Sequence, residues 1–289
     1  MTFNPDAALA FRYPEVRQTL TRRDTMLYAL GVGYGSDPLD ADELRFVYEE
    51  RLQAAPTLAI TLCYPDALAG FSRAVGIRGE KVLHVSQSFE LPGPLPVAGT
   101  FIGRTEITGV FDKGPQRGAL WTYRNRIVDA DTGRLVCTLD AASMALGYGG
   151  YGGPRGEPPP DAQPPRRSPD HVVDLATLPQ AALIYRLSGD YNPVHADPVL
   201  ARAAGYERPI LHGRCTFGVA ARAMLRTCLQ SDASRLRGMS ARFTSPVFPG
   251  ETIRTEIWRH DGDPHELRFR CSVPARDVRV LDHGRVKLA

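Results

Sequence analysis

The chain has 289 residues, of which 43% are hydrophobic and 23% charged, and its formal net charge is +3. These values exclude a largely disordered protein, and the length favours two medium domains over one large domain. The basic residues are spread along the chain rather than clustered, which predicts that nucleic acid is not a partner.

The N-terminal sequence MTFNPDAALAFRYPEV carries acidic residues and lacks the apolar core of a secretion signal, and no apolar run is long enough for a membrane span. The five cysteines form no CxxC pair and show no metal-site spacing with histidine. We therefore expect reduced thiols, no metal site, no membrane association and a cytoplasmic location.

In the first half of the chain, hydrophobic and polar residues alternate as they do in half-buried β-strands. The segments that show this alternation are 81–90, 100–112, 119–129 and 135–146. The pattern ends where the sequence GYGGYGGPRGEPPPDAQPPRRSPD begins. Residues 147–170 are therefore predicted to be a linker, partly flexible and partly extended, between domains at 1–146 and 171–289.

The second half begins with a helical pattern and continues with strands. Hydrophobic residues recur every three or four positions in 212–229, and Pro209 upstream favours a helix that starts near Gly213. Alternating segments follow at 240–247, 251–258 and 266–273. Each half is thus predicted to be an antiparallel sheet with helix packed on it, an α+β fold.

The two halves also share a short sequence. RTEI occurs at 104–107 and again at 254–257, and both copies follow a turn that contains glycine. This repetition indicates duplication of one fold unit.

The loop SGDYNPVHADP, residues 188–198, is the candidate catalytic segment. Asp190 and His195 are a carboxylate and an imidazole, which can exchange protons near neutral pH with one water held between them. Asn192 could bind that water or fix the turn. The same residues could instead serve only the geometry of a surface turn.

Gly213 offers a second candidate feature. A backbone N–H at the start of a helix lies where the helix dipole favours negative charge, so it could hold a developing oxyanion. A glycine there could also serve only close packing or a turn.

The segment YRLSGDYNPVHADPVLARAAGYERPILHGRCTFG, residues 185–218, resembles the signature of the type 2, R-specific enoyl-CoA hydratases of the MaoC-like group. The sequences LPVAGT, DKG, GGYGG and FTSPVFPGET resemble the two-repeat form of that family, so the resemblance covers nearly the whole chain. It implies a double hot-dog fold in which each half wraps an antiparallel sheet around a long helix. Only the C-terminal half would keep the catalytic loop, and the N-terminal half would accommodate the acyl chain.

The resemblance also implies a reaction, the reversible syn hydration of a trans-2-enoyl-CoA to a (3R)-3-hydroxyacyl-CoA by a hydro-lyase. Asp190 and His195 would hold the water and exchange its protons, in roles that the sequence does not assign. Asn192 would orient Asp190 or the water. The Gly213 N–H would bind the thioester oxygen.

Substrate-binding positions of the family are carried over with the same resemblance. They map to His84 with Val85, to Lys113 and to Phe243. The sequence departs from the family pattern at three places. Val85 and Ser86 stand where members commonly have a glycine and a carboxylate, and Arg214 stands where the usual residue is apolar.

Two other functions are compatible with these residues. A hot-dog thioesterase would direct the water to the carbonyl carbon, and a catalytically silent protein would only bind acyl-CoA. In every case the partner is an acyl-CoA thioester, no cofactor is needed beyond the coenzyme A of the substrate, and the family implies a homodimer. Fatty-acid metabolism, including β-oxidation, is the expected context.

Overall fold

The architecture comes from a computed structural model that describes residues 3–156 and 163–289. In this described part of the chain, ten strands form one sheet in the order β1-β3-β4-β5-β2-β7-β10-β9-β8-β6. The strands are β1 Val16–Leu20, β2 Val82–Glu90, β3 Gly99–Asp112, β4 Gly118–Asp129, β5 Leu135–Leu146, β6 His171–Ala176, β7 Leu236–Phe243, β8 Thr252–Arg259, β9 Glu266–Val273 and β10 Val278–Leu288.

Every neighbouring pair in this sheet is antiparallel, and the two halves of the chain meet at β2 and β7. Gln87 of β2 lies opposite Ala241 of β7, and both are buried. The sheet is therefore continuous from the N-terminal to the C-terminal half, so that residues of both halves can share one site.

Seven α-helices lie in the described part of the chain. They are α1 Pro5–Ala10, α2 Arg22–Gly31, α3 Ala41–Leu44, α4 Leu68–Val75, α5 Ala181–Tyr185, α6 Pro198–Ala203 and α7 Gly213–Cys228. None of the helices among the described residues is long and apolar enough to cross a membrane.

Helix α7 is the centre of the C-terminal half. It packs against β6, β7 and β8, and its small residues, including Gly218, Ala220 and Ala221, let neighbouring elements approach closely. A Cβ atom at Gly218 would lie 2.6 Å from a methyl carbon of Val32. The helix therefore packs on the N-terminal half as well as on its own sheet.

The predicted elements are largely confirmed. The four N-terminal segments form β2 to β5, the segments 251–258 and 266–273 form β8 and β9, and the helix begins at Gly213. The predicted segment 240–247 overlaps only the end of β7, because this strand spans Leu236–Phe243. The sequence patterns did not predict β1, β6 or β10.

The predicted linker is coil over its described part, and residues 157–162 of it lie outside the described residues. Its glycines bind the end of β3. The Asp112 carboxylate accepts hydrogen bonds from the backbone N–H groups of Gly150 and Gly152, at 2.7 and 2.8 Å. Both glycines have positive φ angles, of 88° and 84°, a conformation that side-chain-bearing residues rarely adopt.

Candidate active site

The loop 188–198 is held in shape by its own polar residues. Gly189 turns the chain with a φ of 116°, which favours glycine. Asn192 is exposed, and its side-chain oxygen accepts a hydrogen bond from the Val194 N–H at 3.2 Å, which caps the short turn Pro193–His195. The side chain of Asn192 thus fixes the turn, while its backbone N–H donates to Asp190 Oδ1 at 3.3 Å.

Two histidines tie this loop to the segment before α7. The Nδ1 atom of His195 lies 2.8 Å from the carbonyl oxygen of Ile210, and Nε2 of His212 lies 3.1 Å from the carbonyl oxygen of Asp190. The two rings stack with centroids 3.6 Å apart. Because a carbonyl oxygen only accepts, His195 carries its proton on Nδ1 when neutral, and its Nε2 lone pair stays free to take a proton.

Asp190, His195 and His212 form one polar cluster, in which one potential ligand atom from each side chain lies within 4.8 Å of the others. Such a set can also bind a metal ion, through His195 Nε2, His212 Nδ1 and the carboxylate. Acid–base chemistry with a single water needs only the same groups.

The charges within the cluster follow from its surroundings. Burial raises the pKa of Asp190, but the positive charge of Arg214 outweighs it together with smaller contributions from His212, His195 and the Asn192 N–H, and the net pKa is lowered. Burial lowers the pKa of His195, against the pull of the Asp190 carboxylate. Burial also lowers the pKa of His212. Near neutral pH the cluster therefore contains an ionised Asp190 and neutral histidines.

Gly213 is the first residue of α7, directly after His212, so its N–H has no acceptor within the helix. A Cβ atom there would lie 3.0 Å from two ring carbons of Phe243, tighter than ordinary contact. The Phe243 ring also packs against His84, with centroids 4.6 Å apart. The structure thus brings Gly213, Phe243 and His84 together, and Gly213 directly follows His212 of the Asp190–His195–His212 cluster.

The other two predicted substrate-binding residues lie differently. Val85 occupies a bulge of β2, between the paired residues His84 and Ser86. Lys113 lies at the end of the β3–β4 hairpin, where its ammonium group donates to the carbonyl oxygen of Arg155 and lies 5.4 Å from the Phe111 ring centroid. The described contacts of the Lys113 side chain are with these residues and not with the loop 188–198.

Sequence reasoning did not select two residues that the structure places in the site. His212 was part of the matched signature, but only the fold shows that it supports both Asp190 and His195. Arg214 is 7% exposed and lies with its guanidinium carbon 4.2 Å from the centre of the Tyr64 ring. Buried arginines are rare, so a position inside the protein contradicts the usual expectation for this residue type.

The geometry can be compared with known proteins. The family model for the MaoC-like domain matches residues 161–274, and the model for the MFE-2 hydratase 2 N-terminal domain matches residues 18–147. An enoyl-CoA hydratase of Mycobacterium tuberculosis, ChsH3, is 38% identical over 287 residues, which cover 98% of each chain.

Solved structures agree with these matches. A MaoC-like dehydratase from Phytophthora capsici superposes with a TM-score of 0.84 at 33% identity, over 98% of both chains. A Mycobacterium tuberculosis protein described as a double hot dog superposes with a TM-score of 0.59 over 100% of this chain and 96% of its own, at 20% identity. The α+β double hot-dog fold is confirmed. The chain belongs to the MaoC-like, MFE-2 hydratase 2 family.

Proposed function

We propose that the protein is a hydro-lyase that catalyses the reversible syn hydration of trans-2-enoyl-CoA to (3R)-3-hydroxyacyl-CoA. The water oxygen bonds to C3, the C2=C3 π electrons move toward the thioester carbonyl, and a proton then bonds to C2. The reverse sequence dehydrates the hydroxyacyl-CoA. The observation that carries this function is the convergence of Asp190 and His195 in one cluster beside the free N–H at the start of α7.

Asp190 and His195 hold the water in this proposal. Both groups are in proton-accepting forms near neutral pH, because Asp190 is ionised and His195 Nε2 carries a lone pair. One of them takes a proton as the water attacks C3. The proton delivered to C2 can be the same one, since syn addition places both new bonds on one face of the substrate.

Gly213 and Asn192 support this chemistry in different ways. The Gly213 N–H would donate to the thioester oxygen and stabilise the negative charge that develops there. Asn192 acts through the turn that carries Asp190 and His195, since its side-chain oxygen accepts from Val194. It is therefore a positioning residue.

The substrate-binding residues are proposed on the same basis. Phe243 packs against Gly213, and His84 packs on Phe243. Burial lowers the pKa of His84 to about 3, so its ring is neutral against a bound ester. The Val85 bulge shapes the strand beside them. Lys113 is proposed to contact a phosphate of coenzyme A as a point charge.

We also propose that residues 171–289 carry the catalytic loop and that residues 1–146 accommodate the acyl chain. Residues 147–170 would be the linker between these two domains. A small cavity of about 20 Å³ is lined by Arg214 and otherwise by residues of the N-terminal half. Its apolar side chains, among them Ile60, Leu62 and Leu139, support a place for the acyl chain beside the N-terminal half.

A thioesterase is the second candidate, because it too would use a carboxylate, a water and a helix-terminal N–H. The two reactions separate when purified protein is mixed with crotonyl-CoA. Loss of the conjugated enoyl absorbance without free thiol is expected for the hydratase. Release of thiol would support the thioesterase. If neither the absorbance nor the thiol concentration changes, the result would support a silent acyl-CoA-binding protein.

We also propose that the protein forms a homodimer and is located in the cytoplasm. The free edges of hot-dog sheets favour a homodimer formed edge to edge. All five cysteines are free thiols, which supports a reducing compartment such as the cytoplasm. Acid–base groups and an oxyanion donor suffice for the chemistry, which fits fatty-acyl-CoA metabolism without an added cofactor.

A further inference from the structure

The acceptor groups of the catalytic cluster outnumber the hydrogens of one water molecule. His195 Nδ1 lies 2.8 Å from the carbonyl oxygen of Ile210, and His212 Nε2 lies 3.1 Å from the carbonyl oxygen of Asp190. Because a carbonyl oxygen accepts, both nitrogens carry hydrogen, which leaves lone pairs on His195 Nε2 and His212 Nδ1. With the Asp190 carboxylate, the cluster therefore presents acceptors on three side chains. A water molecule has two hydrogens, so it leaves one of these side chains without a donor.

His212 Nδ1 is the acceptor that most needs a partner. His212 is 1% exposed, and its Nδ1 atom is buried with no hydrogen-bond partner among the described residues. The ring packs against the rings of His195 and Tyr185, with centroids 3.6 and 4.9 Å away, so it is not free to turn toward solvent. An unpaired buried acceptor is unfavourable, and a bound cation would satisfy it.

The outer contacts of both histidines are those of metal ligands. A histidine that binds a metal ion usually donates its other ring N–H to a carboxylate or a backbone carbonyl, which fixes the tautomer and the ring orientation. His195 meets this condition through Ile210, and His212 meets it through Asp190. Imidazole nitrogens together with a carboxylate are a common ligand set for Zn²⁺.

The spacing of the cluster allows one ion to reach all three side chains after a small closure. One potential ligand atom from each side chain lies within 4.8 Å of the others. Ligand atoms of a tetrahedral zinc ion lie about 2.0–2.2 Å from the metal and hence about 3.3–3.6 Å from one another. The Asp190 carboxylate can supply part of this movement, because its Oδ1 atom is held by a long hydrogen bond of 3.3 Å from the Asn192 N–H. The histidine rings, inclined at 26° to each other, would open further around the ion.

The charges around the cluster limit how tightly it can hold a cation. The positive charge of Arg214, which is 7% exposed, interacts with the Asp190 carboxylate. A second cation beside Asp190 would be repelled by this guanidinium. We therefore expect reversible binding rather than a permanently bound structural metal.

We propose that Asp190, His195 and His212 bind a divalent transition-metal ion, with Zn²⁺ as the best match, and that the bound ion inhibits hydration. The ion would take the position of the reacting water and engage the lone pairs that exchange its protons. The inhibition rests on the hydratase function proposed above, whereas the binding of the metal does not.

Zinc binding is measured on the full chain, first treated with EDTA, by competition with a chromophoric chelator. We expect one Zn²⁺ per wild-type chain. Asp190→Asn, His195→Gln and His212→Gln each remove a ligand, so each should raise Kd by more than the 10- to 100-fold typical of losing an outer partner. His260→Gln is the matched control and should keep the affinity, because the Nε2 atom of His260 lies 3.9 Å from the carboxylate of Glu266, a histidine–carboxylate pair outside the cluster.

Arg214→Met tests the site in the opposite direction. Loss of the neighbouring positive charge should lower the Kd for zinc about 10-fold, whereas Arg214→Lys, which keeps the charge, should stay closer to the wild type. A gain in affinity is a result that damage to the fold would not produce.

Inhibition is followed through the enoyl absorbance of crotonyl-CoA. Zn²⁺ should lower the rate of hydration by the wild-type protein and by His260→Gln at concentrations near the measured Kd, and EDTA should restore it. Mg²⁺ is the control ion and should not inhibit, because it prefers oxygen ligands.

The contrary outcomes separate the parts of the proposal. Zinc affinity in the three cluster variants equal to that of the wild type would overturn the site. Zinc bound at the cluster with an unchanged hydration rate would overturn the inhibition alone. A wild-type protein that hydrates crotonyl-CoA but binds no zinc would overturn the metal site and leave the proposed function standing. A protein that binds zinc at the cluster but hydrates no enoyl-CoA would support the site and overturn the proposed function.

Discussion

The two halves of the molecule share a sheet and differ in what covers it. In the C-terminal half the 16-residue helix α7 fills that space. In the described N-terminal half the longest helix, α2, has ten residues, and the short turn Pro56–Thr61 contacts α7 instead. Among the described residues, the expectation of a long helix in each half therefore holds only for the C-terminal one.

The repeated RTEI sequence shows the difference at one position. Thr255 lies opposite Cys271, and both side chains are fully buried. Thr105, in the other copy, lies opposite Asn125, and both line the cavity. The same strand pairing thus supports a packed core in one half and lines a small cavity in the other.

The largest expected effect is the loss of activity when the proposed catalytic residues of the C-terminal half are replaced. Asp190→Asn and His195→Gln should each reduce kcat with an enoyl-CoA substrate by about 10²–10⁴-fold, because each removes a group that exchanges a proton with the water. Steady-state kinetics with enoyl absorbance measure this, and circular dichroism serves as the control for folding. Full activity in either variant would contradict the assigned roles.

The second largest effect is expected on stability, from the buried salt bridge between Arg222 of α7 and Glu43 of the N-terminal half. Arg222→Met would leave the Glu43 carboxylate buried without its partner, and such losses destabilise by about 3–5 kcal/mol. Denaturant unfolding measures the change. Arg254→Met is the matched control, because its salt bridge with Asp174 is exposed and such pairs contribute about 0–1 kcal/mol. Similar losses in the two variants would show that the buried pair does not anchor α7 to the N-terminal half.

The packing at Gly213 should have a moderate effect on catalysis. Gly213→Ala places a methyl group against Phe243 and displaces the N–H or the ring. Because small displacements of a positioned group are costly in catalysis, kcat/KM should fall about 10- to 100-fold. Phe243→Leu in the same chain should restore part of the loss by making space. A double variant no better than Gly213→Ala would show that the contact is not the cause.

The smallest expected effect is the change of folding stability with each pH unit. Burial lowers the folded-state pKa of His84, His195 and His212, so the unfolded chain binds more protons below its histidine pKa of about 6.5. Stability should therefore be full above that pH and fall as pH decreases, with each such histidine contributing up to about 1.4 kcal/mol per pH unit. Thermal unfolding between pH 7 and pH 5 measures the slope. His84→Gln should make the slope shallower, and an unchanged slope would contradict the buried, neutral state of His84.

Much of the fold followed from local patterns, and the failures have local causes. The strand β10 escaped prediction because its register shifts between Asp282 and Arg285, where His283 has a φ of 53° and the alternation breaks. The edge strands β1 and β6 have only five and six residues, which leaves little pattern to detect.

The site shows the same limit. Asp190 and His195 lie close together in sequence, so a loop pattern could predict them. The support from His212 depends on a contact across 22 residues, and the burial of Arg214 depends on how the two halves meet. Neither relation is encoded in a local pattern.

The most direct measurement follows oxygen from labelled water during turnover of crotonyl-CoA. The account predicts that ¹⁸O from H₂¹⁸O appears in the hydroxyl group at C3 of intact (3R)-3-hydroxybutyryl-CoA, and that no free coenzyme A is released. Label in the carboxylate of a released acid, or a product of 3S configuration, would contradict it.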